Sequence, residues 1–291
     1  MDALQTRRSF REKWAKNPDA GFRNTLTEGS VLQNWILNRN GFNNIGELSA
    51  YLKGKRRILD GGCGNGRVTA LLASAFEGPV VGVDLNAAPV AQENLAGVPN
   101  VEIKEGDLLG DLSHLGKFDF IYCQEVLHHT QDPRGGFLNL CTLLEPNGEI
   151  AIYVYRIKAP IREFADDFVR DAIKDLPYEE AMEASKQITE LGKVLSKITE
   201  EIEFPEVKVL GLKAGKYTPQ RFIYHSFLKC FWNDELSEHE NVVINYDWYH
   251  PSTATRHTIE EVRGWFKEAG LEINHEFEDE YGITMKGVKK A

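Results

Sequence analysis

The stretch ILDGGCGNGR, residues 58–67, sets four glycines and a cysteine behind a short apolar run that ends in Asp60. Glycine lets a chain turn sharply and lets a ligand lie against the backbone with no Cβ in the way. Gly62, Gly64 and Gly66 have the spacing GxGxG, and Arg67 stands where the dinucleotide fingerprint GxGxxG would place its last glycine, which argues against a pyrophosphate ligand. Asp84 follows Asp60 by 24 residues at the end of a second apolar run, where a carboxylate can accept hydrogen bonds from both hydroxyls of a ribose. Asp107 follows a third run and can accept from the exocyclic amine of an adenine, or merely cap a turn. A ribose, an adenine and a glycine-lined tail site together describe an adenosine bearing an amino acid. Cys63 reads as a small loop residue rather than a nucleophile, and Asp60 as a ligand contact or an orienting carboxylate of the loop.

Three further groups could do chemistry. His128 and His129, in QEVLHHT, are candidate bases for a nucleophile that must lose a proton, with a structural turn as the alternative. No third ligand of suitable spacing accompanies them, so no metal is expected. Tyr153, Tyr155 and Arg156 close another apolar run; Arg156 suits a carboxylate or phosphate, or an ion pair with the acidic segment that follows. The stretch DWYHPSTATRH (247–257) crowds Trp248, Tyr249, His250, Arg256 and His257 together and is read as substrate lining or, alternatively, as loop packing.

The elements that must position these residues alternate. RRILD (56–60), PVVGVDL (79–85), VEIKE (101–105), FDFIYCQ (118–124) and EIAIYVY (149–155) read as strands, with helices over 65–76, 87–96 and from Pro133, and a turn at EPNG (145–148). Such alternation implies a doubly wound parallel sheet covered on both faces. Residues 158–250 carry helical periodicity and no sheet strand. One stripe is Ile161, Phe164, Phe168, Ala172 and Leu176; a longer one is Ala181, Ile188, Leu191, Leu195, Ile198 and Ile202, read as a helical hairpin or a dimer coiled coil. Thr218-Pro219 opens a third, aromatic-rich helix. Thr258 and Glu261 form a capping box for a helix that runs to Gly270, and strands over 271–278 and 282–288 follow. The organisation expected is therefore a leader over 1–50, with Trp14, Phe22, Trp35 and Arg39, folding as a lid or else covering the sheet's helices; a core of 51–157 and 251–291; and a helical cap, 158–250, inserted after strand five.

Asp60-x-Gly62-x-Gly64-x-Gly66, VVGVDLN, EGDLL, FDFIYCQEVLHHT and LLEPNGEIAIY, in that order, resemble a class I S-adenosylmethionine-dependent methyltransferase. The likeness covers 56–156, and 257–288 is similar to that family's closing helix and strand pair. It is nearest to the small-molecule group, including methyltransferases of ubiquinone and menaquinone biosynthesis. The resemblance implies an α/β, seven-stranded, mostly parallel sheet with a reversed last strand, S-adenosylmethionine as cofactor and S-adenosylhomocysteine as product. It implies that the loop Asp60-Gly61-Gly62-Cys63-Gly64-Asn65-Gly66 holds the methionine part. Asp84 would hold the ribose, Leu85 would pack on the adenine, Asp107 and Leu108 would frame it, and Gln124 would face the methionine part or the methyl group.

The 291 residues, 42% hydrophobic and 27% charged, suit a globular protein, and a net charge of −10 argues against nucleic-acid or anionic-membrane partners. QEVLHH also replaces the Asn/Asp-Pro-Pro-aromatic stretch of nucleic-acid amino methyltransferases. No secretory leader or membrane-length apolar run is read, and the four dispersed cysteines read as reduced thiols of a cytoplasmic protein. The acceptor expected is a small molecule methylated on oxygen or nitrogen, with carboxylate-bearing molecules among the candidates. A peptide or protein methyltransferase, a sensor, or other sulfonium chemistry remain as alternatives, and a homodimer remains open.

Overall fold

The structure, a computed structural model, describes residues 3–290 and divides into two compact units. One joins residues 14–156 to 255–290; the other joins residues 3–13 to 157–254.

The strands in chain order are β1 (Ile58–Gly61), β2 (Val80–Asp84), β3 (Val101–Glu105), β4 (Phe118–Gln124), β5 (Leu144–Tyr155), β6 (Ile202–Phe204), β7 (Gly215–Tyr217), β8 (Leu271–Glu278) and β9 (Gly282–Lys289). Seven form one sheet in the order β3-β2-β1-β4-β5-β9-β8. The first five run parallel, and β9 is antiparallel to both β5 and β8. This is the doubly wound, mostly parallel sheet with a reversed last strand that the sequence leads one to expect.

Residue alternation along the strands builds two apolar layers. Leu59, Val81, Ile121 and Ile152 pack with Phe137, Val262 and Phe266 of the helices Pro133–Thr142 and Ile259–Glu268. Ile58, Val80, Phe120 and Ala151 face the other way, onto Ile36, Leu52, Leu71 and Leu72 of the helices Val31–Arg39, Ile45–Leu52 and Arg67–Ala75. Burial on both faces explains why these strands read as continuous apolar runs. The strand order reverses between β1 and β4, which opens a crevice at the carboxyl ends of these strands.

Two local expectations are corrected. EPNG is not a turn before β5 but a bulge inside it: Phe118 pairs with Leu144, the next pair is Phe120 with Glu149, and Asn147 lies at φ 62°. Thr258 does cap its helix, accepting from Glu261 N at 3.1 Å, but the Glu261 carboxylate turns to His257 Nδ1 at 3.0 Å instead of closing the box.

The second unit contains the helices Pro160–Ile173, Tyr178–Ser196, Pro219–Ser226 and Glu238–Tyr249, and a β6–β7 hairpin where no strand was expected. The first apolar stripe points outward, and the second does so in part, since its Ala181 is buried and its Ile188 and Leu195 are half-buried. Phe164 and Phe168 are 71% and 69% exposed, while Arg162, Asp166 and Arg170 are buried. In the next helix Tyr178, Ala181, Ser185, Thr189 and Gly192 are buried, and Leu191 and Ile198 are exposed. The reason is a hydrogen-bonded interior. Asp166 pairs with Arg162 at 3.1 Å and accepts from Lys229 N at 3.0 Å, and Asn245 Nδ2 donates to Thr189 Oγ1 at 2.8 Å. The two helices are thus each bonded to the 227–249 segment rather than forming a simple hairpin. The leader is also divided: Gln5 Nε2 donates to the Lys174 and His250 carbonyls at 2.6 and 2.7 Å, so residues 3–13 go with this unit and not with a lid over 1–50.

Candidate active site

The glycine loop lies between β1 and its helix, with Gly62, Gly64 and Gly66 at φ 84°, 57° and 88°, the left-handed region that L side chains rarely adopt. A Cβ on Gly62 would overlap the Val126 side chain, and one on Gly64 would meet the Trp14 indole at 3.0 Å. Asp84, at the end of β2, holds the loop in place. Its Oδ2 accepts from Gly64 N at 2.9 Å, and its Oδ1 accepts from Asn86 N and Ala87 N at 2.7 and 2.8 Å. A carboxylate has about four acceptor sites, so one remains for a ligand hydroxyl.

Asp60 is fully enclosed and accepts from Thr69 Oγ1 at 2.6 Å. Burial pushes its carboxyl up to about 7, with the Asp84 charge adding to the shift and the Thr69 hydrogen bond opposing it. It therefore ties β1 to the following helix. Gly61 is buried within β1. Cys63 is buried and its thiol is pushed up by burial, as suits a small packing residue. Asn65 Nδ2 donates to the Pro18 and Ala20 carbonyls at 3.0 and 3.1 Å, and Arg67 Nη1 donates to Thr25 Oγ1 at 3.0 Å. Together with Trp14, these contacts lay residues 14–25 across the loop.

Leu85 is half-buried beside Asp84, Asp107 Oδ1 accepts from Leu109 N at 2.9 Å in a turn, and Leu108 is buried in the core layer under β1 and β2. Gln124 ends β4, 7% exposed. Tyr122 Oη donates to Gln124 Oε1 at 2.7 Å and accepts from Asn40 Nδ2 at 2.9 Å.

The candidate proton-transfer residues converge on Tyr155. Its ring stacks on His128 at 3.5 Å between centroids, with His129 at 5.5 Å and Tyr153 at 6.2 Å. The His128 carbonyl accepts from Thr255 N at 2.8 Å, which moors the segment bearing the half-buried Arg256. Arg156 donates to the Asp279 carbonyl at 3.0 Å and pairs with Glu278 at 3.3 Å, at the end of β8.

Trp248, Tyr249 and His250 belong to the other unit, where their side chains are buried. The Tyr249 hydroxyl lies 2.8 Å from Asp166 Oδ1, and His250 bonds Ser9 Oγ at 2.8 Å and the Leu176 carbonyl at 3.1 Å. Trp248 is 2% exposed, with Lys229 Nζ 4.7 Å from its ring centroid. Among the described residues no group of three or more His, Cys, Asp and Glu gathers as a metal site would, and no helix is long and apolar enough to cross a membrane.

Asn40, Tyr122 and Thr284, which surround Gln124 and Tyr153, are not among the residues the sequence singles out. Gln124, Tyr153 and Thr284 form one cross-strand row, and no spacing along the chain reveals that row.

Known proteins bear on this geometry. Residues 36–182, half of the chain, match the model of a methyltransferase domain family. Trans-aconitate 2-methyltransferase of Deinococcus radiodurans is 34% identical over 99 residues, covering 34% of this chain and 37% of that protein. Ubiquinone biosynthesis O-methyltransferase of Marinobacter nauticus is 32% identical over 104 residues, covering 33% and 43%. The chain thus spans under half the length of these curated relatives. The crystal structure of N-methyltransferase NodS from Bradyrhizobium japonicum, in complex with S-adenosyl-L-homocysteine, aligns with a TM-score of 0.52 at 15% identity, covering 99% of this chain and 100% of that one, a likeness of fold. With its glycine loop, its Asp84 and its reversed β9 in the order that family shares, the chain belongs to the class I S-adenosylmethionine-dependent methyltransferases.

Proposed function

We propose that the protein binds S-adenosylmethionine and moves its methyl group to an oxygen or nitrogen of a small-molecule metabolite. The observation that carries this reading is the glycine loop at positive φ after β1, tied through Gly64 N to the Asp84 carboxylate at the carboxyl end of β2. Residues 60–66 would hold the methionine part, Asp84 the ribose, and Leu85 and Asp107 the adenine. The cofactor supplies a methyl already activated for transfer. The chain's own work is to align the nucleophile, keep water out and receive a proton where the nucleophile carries one. His128 and His129, gathered with Tyr153 around Tyr155, are the groups able to receive it. The relatives named for trans-aconitate and for ubiquinone biosynthesis support a small acceptor.

Calorimetric titration of S-adenosylmethionine and S-adenosylhomocysteine into wild type and Asp84→Ala tests the reading. Losing the ribose contacts costs about 2–3 kcal/mol, roughly 30- to 150-fold in Kd. Absence of binding in the wild type would sink the proposal, and S-adenosylhomocysteine release with an acceptor separates transfer from binding alone.

A further inference from the structure

On the sheet face under the helix Val31–Arg39, four side chains hold buried polar atoms with no hydrogen-bond partner among the described residues: Gln124 Nε2, Asn40 Oδ1, Arg39 Nε and Thr284 Oγ1. All four residues are at most 7% exposed. Buried polar groups in native proteins are nearly always satisfied, so four orphans in one neighbourhood need an account.

They do share a neighbourhood, centred on Tyr153. Gln124 on β4 and Thr284 on β9 are the direct cross-strand partners of Tyr153 on either side. The Arg39 guanidinium lies 6.0 Å from the Tyr153 ring centroid, and the Trp35 ring meets Tyr153 edge-on at 5.2 Å. Asn40 joins Gln124 through the Tyr122 hydroxyl.

That connection fixes which atoms are offered. Asn40 Nδ2 donates to the Ile36 carbonyl at 2.9 Å, and a flipped amide would set oxygen against oxygen there. The same Nδ2 gives its other hydrogen to Tyr122 Oη. The phenol, kept protonated by burial, spends its one hydrogen on Gln124 Oε1. Gln124 must therefore present Nε2, a donor, and Asn40 must present Oδ1, an acceptor, on the two sides of one phenol oxygen. Arg39 adds a donor, while its charge is already matched by Asp279.

We propose that Gln124, Asn40, Arg39 and Thr284, walled by Trp35 and Tyr153, form a subsite for a neutral hydroxyl group on a planar acceptor, with Tyr122 as its positioning residue. A hydroxyl accepts from Gln124 Nε2 and donates to Asn40 Oδ1, a pairing that a carboxylate, an ether or an apolar ring edge cannot make. This rests on the methyltransferase reading for its purpose, since Gln124 ends β4 at the crevice where the cofactor would lie.

The test uses phenol, anisole and toluene as probes, titrated by calorimetry into the full chain with and without saturating S-adenosylhomocysteine. Phenol both donates and accepts, anisole only accepts, and toluene does neither. Phenol should bind at least about tenfold more tightly than toluene, with anisole between them. Gln124→Met should erase that ranking. Tyr122→Phe should abolish the phenol–anisole discrimination, which a purely structural tyrosine would leave in place. Thr284→Val, isosteric and able to keep the fold, should weaken phenol while leaving S-adenosylhomocysteine affinity unchanged. Equal affinities for the three probes, no binding of phenol, or a Gln124→Met variant that loses S-adenosylhomocysteine but keeps the ranking would each overturn the subsite. A wild type that ignores S-adenosylhomocysteine would instead overturn the methyltransferase reading, and the probe ranking on the bare protein would still decide the subsite.

Discussion

Thr284→Val should make the protein more stable. Thr284 lies on β9, 1% exposed, between Tyr153 on β5 and Phe277 on β8. Its hydroxyl has no hydrogen-bond partner among the described residues. Burying an unpaired hydroxyl costs about 1–3 kcal/mol. Valine replaces that oxygen with a methyl of nearly the same shape, keeps the β-branch that suits a strand, and opens no cavity. We expect a gain of about 1–2 kcal/mol, read as a higher urea midpoint with unchanged slope, because the surface exposed on unfolding stays the same. The sign carries the reasoning. If valine lowers the midpoint, the hydroxyl is satisfied by an ordered water in the free protein, and the account of orphaned groups around Tyr153 fails. A variant gaining stability while losing phenol would be the familiar exchange of stability for a binding site.

Gly62→Ala places a methyl inside the Val126 side chain at a φ of 84°, and should cost at least about 2 kcal/mol and abolish cofactor binding, seen in melts and calorimetry. Unaltered binding would mean that the loop relaxes freely. Asp60, whose folded carboxyl is pushed up from 3.8 to about 7, should make the protein lose stability as pH rises across that window, by no more than about 4 kcal/mol. Asp60→Asn should flatten that slope, and an unchanged profile would contradict the buried acid. His250 works in the opposite sense: burial holds its imidazole below its ordinary 6.5 against the pull of the Leu176 carbonyl, so stability falls as pH drops below about 6.5. His250→Phe should remove that acid slope in pH-dependent melts while costing about 1–3 kcal/mol for the Ser9 partner it strands.

Much of the fold was legible because its signals are local. The inner strands β1, β2, β4 and β5 are buried on both faces and so read as apolar runs, while the edge strands β3 and β8 are largely exposed, and glycines at positive φ mark the loop whatever surrounds it. The insertion was misread for the converse reason. Periodicity assumes that apolar residues face inward, yet its interior is built from Arg162, Asp166, Thr189 and Asn245, hydrogen-bonded to one another and to the chain near Lys229, so Phe164 and Phe168 are left outside. The bonds of His250 to Ser9 and of Tyr249 to Asp166 were likewise beyond any pattern along the chain.

By itself, the sequence determined a doubly wound sheet, a glycine loop with carboxylates at the ends of β1 and β2, and a family likeness, since all of these depend on neighbours along the chain. Only the tertiary structure decided that Gln124, Tyr153 and Thr284 share one row, that Asn40 dictates through Tyr122 which end of the Gln124 amide is offered, and that Arg156 turns to Glu278. The pairings Asn40–Tyr122, Tyr153–Thr284 and Arg156–Glu278 join residues more than 80 positions apart, and the polarity of the Gln124 amide is set by a carbonyl, an amide and a phenol that meet only once the strands and the helix Val31–Arg39 have packed.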